Sequence, residues 1–178
     1  MIDVIIPIAP YEYLDDRVIR SIDIPHQLMI QVSESPDENP SWIDRIINAR
    51  NALRAKTTSD WVLCMDSDVI LPDGLIVHSL EVLKTQWNVG IVGIPTFRMA
   101  FAFPDHIKIK CAIVRGRLLR QIPFRVTKHW CECNCFSYDM SLHGYKSMYL
   151  DTNLYCEVIN NEKNPSSVAH KSATASRS

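Results

Sequence analysis

The sequence predicts an α/β protein in which a mostly parallel central sheet carries helices on both faces, a Rossmann-like arrangement. Short, almost wholly apolar segments such as 2–8 and 61–65 have the composition of strands that are buried on both sides. They alternate with segments of helical spacing, the first of which contains Leu14, Val18 and Ile22. This alternation is typical of a parallel sheet, in which ligands bind beyond the carboxyl ends of the strands.

The composition indicates one compact domain and argues against nucleic-acid and membrane partners. The chain has 178 residues, 47% of them hydrophobic, and a formal net charge of -1. It has no basic cluster for nucleic acid and no apolar run of membrane-spanning length, and its first residues lack the basic and apolar regions of a signal peptide. We therefore expect a cytoplasmic protein with one domain over residues 1–159 and a polar, flexible tail over residues 160–178.

The boundaries of the later elements follow from local signals. Ser41 and Asp44 form a capping-box type of helix start, Pro72 suits a first helical turn, and Gly144 suits a helix end. We expect helices over 41–57, 72–83 and 132–143, and a polar loop over 33–40. Further strands are expected over 27–32, 61–65, 89–94, 107–114, 145–150 and 154–159.

The most informative segment is the strand 61–65 and the acidic pair that follows it, Asp66 and Asp68. Only Ser67 separates the two carboxylates, so an extended backbone would point both the same way. Converging carboxylates repel each other unless a cation neutralises them, and oxygen ligands suit Mg²⁺ or Mn²⁺. We therefore predict a metal-diphosphate site here. The alternative is that the two residues merely end a strand, because Asp is common in turns.

Arg50 lies on the apolar face of the preceding helix, seven residues after Ile43. A guanidinium group in that position needs an anionic partner. Two interpretations remain open. Arg50 either forms a structural ion pair with Asp66, or it binds a substrate phosphate at the strand ends, which is its natural bidentate target.

The six cysteines are expected to be reduced thiols that pack as small hydrophobic side chains. Three of them form the run Cys131, Cys133 and Cys135, and no second pair of zinc-ligand spacing accompanies it. Metal or redox chemistry at this run is the alternative.

Several segments together resemble the inverting glycosyltransferase family 2, whose members have the GT-A fold. The resemblance covers residues 2–158 in order. The segments that carry it are 4–8, 49–52, 60–68, 71–72, 111–115, 122–124, 130–132 and 144–146.

The resemblance implies transfer of a sugar, with inversion, from a UDP- or GDP-linked donor to a hydroxyl group of a glycan, protein or lipid acceptor. It implies Mn²⁺ or Mg²⁺ as cofactor, with Asp66 and Asp68 as ligands and Asp66 also near the ribose. Glu132 would be the catalytic base. The implied nucleotide-sugar site comprises Pro7, Ile8, Ser33, Glu34, Arg50, Asp66, Ser67, Asp68 and Trp130.

The chain departs from the family at the positions that read the nucleoside base and that supply the catalytic Asp. Ser33 and Glu34 follow the second strand where the family has Asp residues, so one of them would take that role. Cys133 stands where the family has its catalytic Asp. The base role therefore falls to Glu132, with Asp139 as the second candidate.

The family's metal-binding His is also missing near Val158. His129 or His170 would have to replace it, and otherwise both are surface residues. The chain is short for the family, so we expect an acceptor site that is either minimal or completed by a homo-oligomer or another partner.

Three other functions remain as alternatives. The run from Asp66 to Val69 also resembles the haloacid-dehalogenase phosphotransferases, with Asp66 as nucleophile, although two strands precede it here. A nucleotidyltransferase of this fold usually carries a glycine-rich loop after the first strand, whereas residues 9–12 here contain no glycine. A degenerate GT-A domain kept only for nucleotide binding would account for Cys133 and for the missing His.

Overall fold

The computed structural model describes residues 1–10, 12–33, 41–96 and 107–159. Within these residues the chain forms strands and short helices in alternation, as the sequence predicts. The strands are β1 (Ile2–Ile8), β2 (His26–Val32), β3 (Trp61–Met65), β4 (Val69–Ile70), β5 (Val89–Gly93), β6 (Cys111–Arg115), β7 (Lys146–Tyr149) and β8 (Glu157–Val158). The helices are α1 (Asp16–Arg20), α2 (Trp42–Arg54), α3 (Leu75–Thr85), α4 (Gly116–Gln121) and α5 (Glu132–Leu142).

Six strands form the central sheet in the order β2-β1-β3-β6-β5-β7. The pairs β1–β2, β1–β3 and β5–β7 are parallel, whereas β6 runs antiparallel to both of its neighbours. Five strands therefore point the same way, and the prediction of a mostly parallel sheet is confirmed. Because β6 runs antiparallel to β3, the residues that precede β6 in the chain lie beside the carboxyl end of β3.

Helices cover both faces of this sheet, as predicted. On one face, residues of α1 and α3 such as Val18 and Leu83 pack against Val4 and Ile6 of β1. On the other face, α2, α4 and α5 pack against Ile5 and its neighbours in β3 and β6. All seven residues of β1 are buried, and full burial of each large aliphatic side chain stabilises the fold by about 1.5–3 kcal/mol.

The boundaries of α2 and α3 agree only in part with those predicted from capping residues. Ser41 caps α2, and its Oγ accepts a hydrogen bond of 3.2 Å from the Asp44 amide, as the capping signal predicts. The helix ends at Arg54, three residues earlier than expected. The prediction that α3 begins at Pro72 is wrong, because Gly74 adopts a left-handed backbone with a φ of 80° and the helix starts after it.

The elements between β5 and the end of the described chain differ more from expectation. The strand predicted over 107–114 is confined to β6, although Ile107 and Ile109 before it are buried. Helix α4 follows β6 directly and was not predicted. The last strand is reduced to the two residues of β8, which pair with β4 in a separate antiparallel sheet. The tail predicted over 160–178 lies outside the described residues.

The β4–β8 sheet fixes the chain next to the acidic pair. The Ile159 amide donates to the Asp68 carbonyl at 2.8 Å, and Cys156 bridges to Thr96 while its amide donates to Pro95. The segment that ends the described chain thus lies along the loop after β3. None of the described helices combines the length and the apolar character that crossing a bilayer would require.

Candidate active site

The acidic pair lies in a turn at the carboxyl end of β3. The Asp66 amide donates to the Lys110 carbonyl at 2.8 Å, which extends the pairing of β3 with the β6 side of the sheet by one residue. The chain then turns at Ser67 and Asp68 instead of continuing as an extended strand. The two carboxylates therefore do not owe their proximity to strand periodicity, as the sequence argument assumed. They have different partners, and each is about a quarter to a third exposed.

Arg50 connects Asp66 with Glu132. It lies in α2 with only 4% of its side chain exposed, and its Nη2 donates to Asp66 Oδ1 at 2.5 Å. Its Nη1 donates to Glu132 Oε1 at the start of α5. Two carboxylates compensate the charge of the buried guanidinium. Arg50 thereby connects α2 with the end of β3 and the start of α5. The structure thus contains the Asp66 ion pair that the sequence left as one of two interpretations.

Lys110 also belongs to this group of charged residues, although the sequence analysis did not single it out. We call Arg50, Asp66, Asp68, Lys110 and Glu132 the ionic cluster. The Lys110 Nζ donates to Asp68 Oδ2 at 2.8 Å. A lysine directly before an apolar strand was the available signal. Its place beside Asp68 depends on the antiparallel register of β6 against β3, which the local sequence does not specify.

Two carboxylate oxygens of the cluster are buried and have no hydrogen-bond partner within the described part of the chain. They are Asp68 Oδ1 and Glu132 Oε2. An unsatisfied buried acceptor costs about 1–3 kcal/mol, so such atoms usually mark a place for a ligand or a proton. Asp68 Oδ1 is available to a cation, and Glu132 Oε2 is available to a hydroxyl group.

The ionic cluster fits a Mg²⁺ or Mn²⁺ ion whose remaining ligands come from a bound substrate and from water. Asp68 offers the unpartnered oxygen, and Asp66 adds a second hard carboxylate. Among the described residues, no three His, Cys, Asp or Glu side chains are arranged to hold a metal by themselves. Mg²⁺ typically binds through one or two carboxylates together with phosphates and water, which is the donor set available here.

Burial is the largest influence on Asp66 and raises its pKa, while Arg50 and Lys110 lower the pKa and Asp68 raises it. The net direction is upward. The cations already present therefore do not fully compensate for the loss of solvent around this carboxylate. An additional cation near Asp66 would favour its ionised form.

Cys133, at the position of the family's catalytic Asp, remains a protonated thiol. Its hydrogen bond with Cys131, together with burial, raises its pKa well above the ordinary value. Its Sγ accepts a hydrogen bond of 3.4 Å from the Ile109 amide. A thiol held in this way does not serve as a base near neutral pH.

Asp139, the second candidate for the base, is held elsewhere. It forms a bidentate ion pair with Arg125 at 2.8 and 2.6 Å. It lies seven residues after Glu132 on α5, which corresponds to about 10 Å along the helix. No described contact brings Asp139 to the cluster of Arg50 and Asp66.

The other described residues named for the nucleotide-sugar site are Pro7, Ile8, Ser33 and Trp130. Pro7 and Ile8 end β1, and the Ser33 amide donates to the Ile8 carbonyl at 2.7 Å, so these three residues are adjacent. Trp130 is 43% exposed and contacts Tyr138 edge to face, with ring centroids 5.1 Å apart. Three further residues were named in the sequence analysis: His129 is exposed, and Glu34 and His170 lie outside the described residues.

The cysteines pack mostly as expected of small hydrophobic side chains. Cys64, Cys111, Cys135 and Cys156 are buried, and Cys131 and Cys133 are partly buried. Cys111 and Cys156 approach each other within the core, with their Sγ atoms 3.7 Å apart.

No protein-family model and no curated protein sequence matches the chain. Solved structures do match it. The mannosyltransferase PcManGT from Pyrobaculum calidifontis, in complex with GDP-Man and Mn²⁺, has a TM-score of 0.67 and 17% identity over 91% of this chain and 58% of that one. S. aureus TarS 1-349, in complex with UDP-GlcNAc, has a TM-score of 0.64 and 14% identity over 92% of this chain and 59% of that one.

Glucosyl-3-phosphoglycerate synthase from Mycobacterium tuberculosis, in complex with Mg²⁺ and UDP, has a TM-score of 0.60 and 17% identity over 94% of this chain and 73% of that one. This chain spans less than two thirds of the length of the first two proteins. At these identities the likeness establishes the fold. The chain has a GT-A-like fold, as the sequence predicts.

Proposed function

We propose that this chain is a glycosyltransferase that moves a sugar from a UDP- or GDP-linked donor to a hydroxyl group of an acceptor. The observation that carries the proposal is the pair of buried, unpartnered oxygens, Asp68 Oδ1 and Glu132 Oε2, in one ionic cluster. Glycosyl transfer needs a site for the leaving diphosphate and a base for the acceptor hydroxyl close together. The fold shared with transferases solved with GDP-Man, UDP-GlcNAc and UDP supports the same class of reaction.

On the donor side, Asp68 would hold a divalent cation through Oδ1, with Asp66 as the second protein ligand. Mn²⁺ or Mg²⁺ bound there would act as a Lewis acid toward the leaving diphosphate. Lys110, already at 2.8 Å from Asp68 Oδ2, adds positive charge on the same side. Arg50 donates to Asp66 and to Glu132, so its role is to fix both carboxylates.

The nucleoside would lie at the carboxyl ends of β1 and β2. Pro7 and Ile8 end the central strand of this half of the sheet, and the buried Ser33 bonds to Ile8. Ligands of open α/β sheets bind in this region. Glu34, the next residue, keeps its predicted role as a contact to the base.

On the acceptor side, Glu132 is the proposed base. As the acceptor oxygen bonds to the anomeric carbon, its proton passes to Glu132 Oε2. The bond from that carbon to the donor phosphate breaks, and its electron pair leaves with the diphosphate. Because Arg50 holds Oε1, the carboxylate presents its other oxygen in a fixed orientation. Attack from the side opposite the leaving group gives inversion.

The phosphotransferase alternative has weaker support. It requires Asp66 to be the nucleophile, yet Asp66 Oδ1 accepts a bond of 2.5 Å from a buried guanidinium. The unpartnered oxygens belong to Asp68 and Glu132, which that mechanism does not use as nucleophiles.

The test separates donor binding from catalysis. UDP and GDP binding is measured by calorimetry with and without Mn²⁺, and turnover is measured as diphosphate release from a panel of UDP- and GDP-sugars. Asp68→Asn should abolish the Mn²⁺-dependent part of binding. Glu132→Gln should lower kcat by about a hundredfold or more and leave the nucleotide Kd unchanged.

Asp139→Asn is the matched control, since it changes a carboxylate on the same helix that is paired with Arg125. Thermal unfolding of each variant checks that the ionic cluster has not collapsed. Unchanged Mn²⁺-dependent binding in Asp68→Asn would contradict the donor site. Nucleotide binding by the wild type without turnover of any nucleotide sugar would favour the binding-only alternative.

A further inference from the structure

A groove runs along the outer side of α5 where this helix passes the edge strand β7. Its volume is about 530 Å³, within the range typical of ligand clefts. No residue of the ionic cluster lines it. The lining residues are Trp130, Asn134, Ser137, Tyr138, Ser141, Tyr145, Lys146 and Ser147.

Aromatic side chains line the groove. Trp130 is 43% and Tyr138 46% exposed, and the two rings hold each other edge to face. Tyr145 also lines the groove, with the Arg117 guanidinium 5.3 Å from its ring centroid. Rings fixed in this way form a rigid amphipathic surface, which suits a ligand with both apolar C–H faces and polar edges.

Ser137 supplies an independent sign of a ligand. The residue is 9% exposed, and its Oγ is one of the buried atoms without a hydrogen-bond partner among the described residues. A serine inside a helix normally bonds back to a carbonyl of the preceding turn. Ser141 does so, donating to the Tyr138 carbonyl at 2.6 Å, whereas Ser137 does not. Its hydroxyl is therefore available to a water molecule or to a ligand.

The chemistry of the lining selects the class of ligand. Among the described residues, hydroxyl and amide groups alternate with aromatic rings along the groove, and Lys146 is the only charged side chain that lines it. A nucleic acid would require several cations, and a bare diphosphate would gain nothing from the rings. A neutral oligosaccharide has hydroxyl groups for the polar side chains and C–H faces for the rings.

The groove lies on the side of α5 away from the proposed base. Its helical lining residues follow each other at intervals of three and four, so they share one face of α5, and Glu132 falls about half a helical turn from that face. Glu132 instead contacts Arg50 of α2. We propose that this groove binds a neutral oligosaccharide at a site outside the ionic cluster. The inference goes beyond the proposed function, and it places Trp130 in this groove instead of at the donor.

The test measures binding without requiring turnover. Linear trisaccharides of glucose, mannose, galactose and N-acetylglucosamine are titrated into ¹⁵N-labelled protein up to 10 mM and followed by amide chemical shifts. At least one should shift the amides of residues 134–147. Tyr138→Ala should weaken that binding about five- to tenfold. Tyr13→Ala, which removes a more exposed tyrosine ring outside the groove, should leave the binding unchanged.

Ser137→Ala provides a second variant that keeps the shape of the helix and should weaken binding about threefold or more. Glu132→Gln should bind the trisaccharide normally while losing transfer. Absence of shifts with all four trisaccharides, or equal weakening by Tyr13→Ala, would contradict oligosaccharide binding in the groove without contradicting the proposed transferase activity. Binding in the groove by a wild type that turns over no donor would support the groove proposal and contradict the transferase activity.

Discussion

The Arg50 guanidinium binds the Glu132 carboxylate, although the two residues are 82 positions apart in the chain. The same guanidinium binds Asp66, so the proposed base and the acidic pair share one buried cation. A displacement of Arg50 would therefore disturb both halves of the proposed reaction.

Arg50→Lys should preserve the charge but not the geometry. An ammonium group is a point charge and does not donate along two fixed directions as a guanidinium does. We expect kcat to fall by about tenfold or more, with a smaller change in the nucleotide Kd. Arg50→Met should unfold more easily by about 3–5 kcal/mol, because it leaves buried carboxylates without their cation. Urea unfolding and steady-state kinetics measure the two effects.

The matched control for Arg50 is Arg45→Lys, on the same helix and outside the cluster. It should change neither kcat nor stability appreciably. Equal kcat values for Arg50→Lys and the wild type would mean that Arg50 does not orient the base.

Lys110→Met should strengthen metal binding by the free protein. Lys110 donates to Asp68 Oδ2 at 2.8 Å, so its positive charge competes with a divalent cation for that carboxylate. Removing a unit charge at this distance should tighten Mn²⁺ binding by about tenfold. Turnover should fall nevertheless, because positive charge near the leaving diphosphate is lost. Calorimetric titration with Mn²⁺ measures the first effect.

Lys84→Met, which removes an exposed lysine at the end of α3, is the control for Lys110. Weaker Mn²⁺ binding by Lys110→Met than by Lys84→Met would mean that Lys110 supports the cation site instead of competing with it.

Cys133→Ser should retain activity within about twofold. The hydrogen bond with Cys131, together with burial, keeps the thiol protonated, so the sulfur does not contribute a base. The serine hydroxyl can still accept the hydrogen bond from the Ile109 amide. The pH profile of kcat should be the same in both proteins. A change of its basic limb would show that Cys133 titrates during the reaction.

The sequence specifies the features of this fold that depend on neighbouring residues. The almost wholly apolar β1, the strand β3 before the acidic pair and the Ser41 cap each follow from a few consecutive residues. The partners of Arg50 and the place of Lys110 do not, because they depend on which strands pair and in which register. The same holds for Asp139, which its spacing from Glu132 made a candidate base and its partner Arg125 removes from the cluster.

The corner between β6 and α4 illustrates a constraint of this long-range kind. A Cβ on Gly116 would overlap the carbonyl oxygen of Ser59, and the Gly116 amide donates to the Asp60 carbonyl at 2.7 Å. Gly116→Ala should therefore destabilise the protein by about 2–3 kcal/mol. Urea unfolding measures the loss, with Gln121→Ala at the exposed end of α4 as control. Equal stability of the two variants would show that this corner relaxes easily.

Asp3 should make the stability of the protein depend on pH in the acid range. It is fully buried in β1, and its carboxylate accepts hydrogen bonds from the Thr58 amide, the Ser59 amide and the Ser59 hydroxyl. Burial raises its pKa, but these bonds and the Arg120 charge outweigh burial, and the pKa falls below its ordinary value. Folding is therefore favoured by the ionised form.

A carboxylate with a lowered pKa contributes its full stability above the pKa of the unfolded chain, near pH 4, and loses it as the pH falls through the folded value. Asp3→Asn should cost about 1–2 kcal/mol at pH 7, because it loses charge-assisted bonds. The difference from the wild type should shrink below pH 4, where the wild type also becomes protonated. Urea unfolding between pH 3 and pH 7 measures it, with the exposed Asp73→Asn as control. A difference that stays constant over this range would mean that the Asp3 carboxylate is not the ionised acceptor of these bonds.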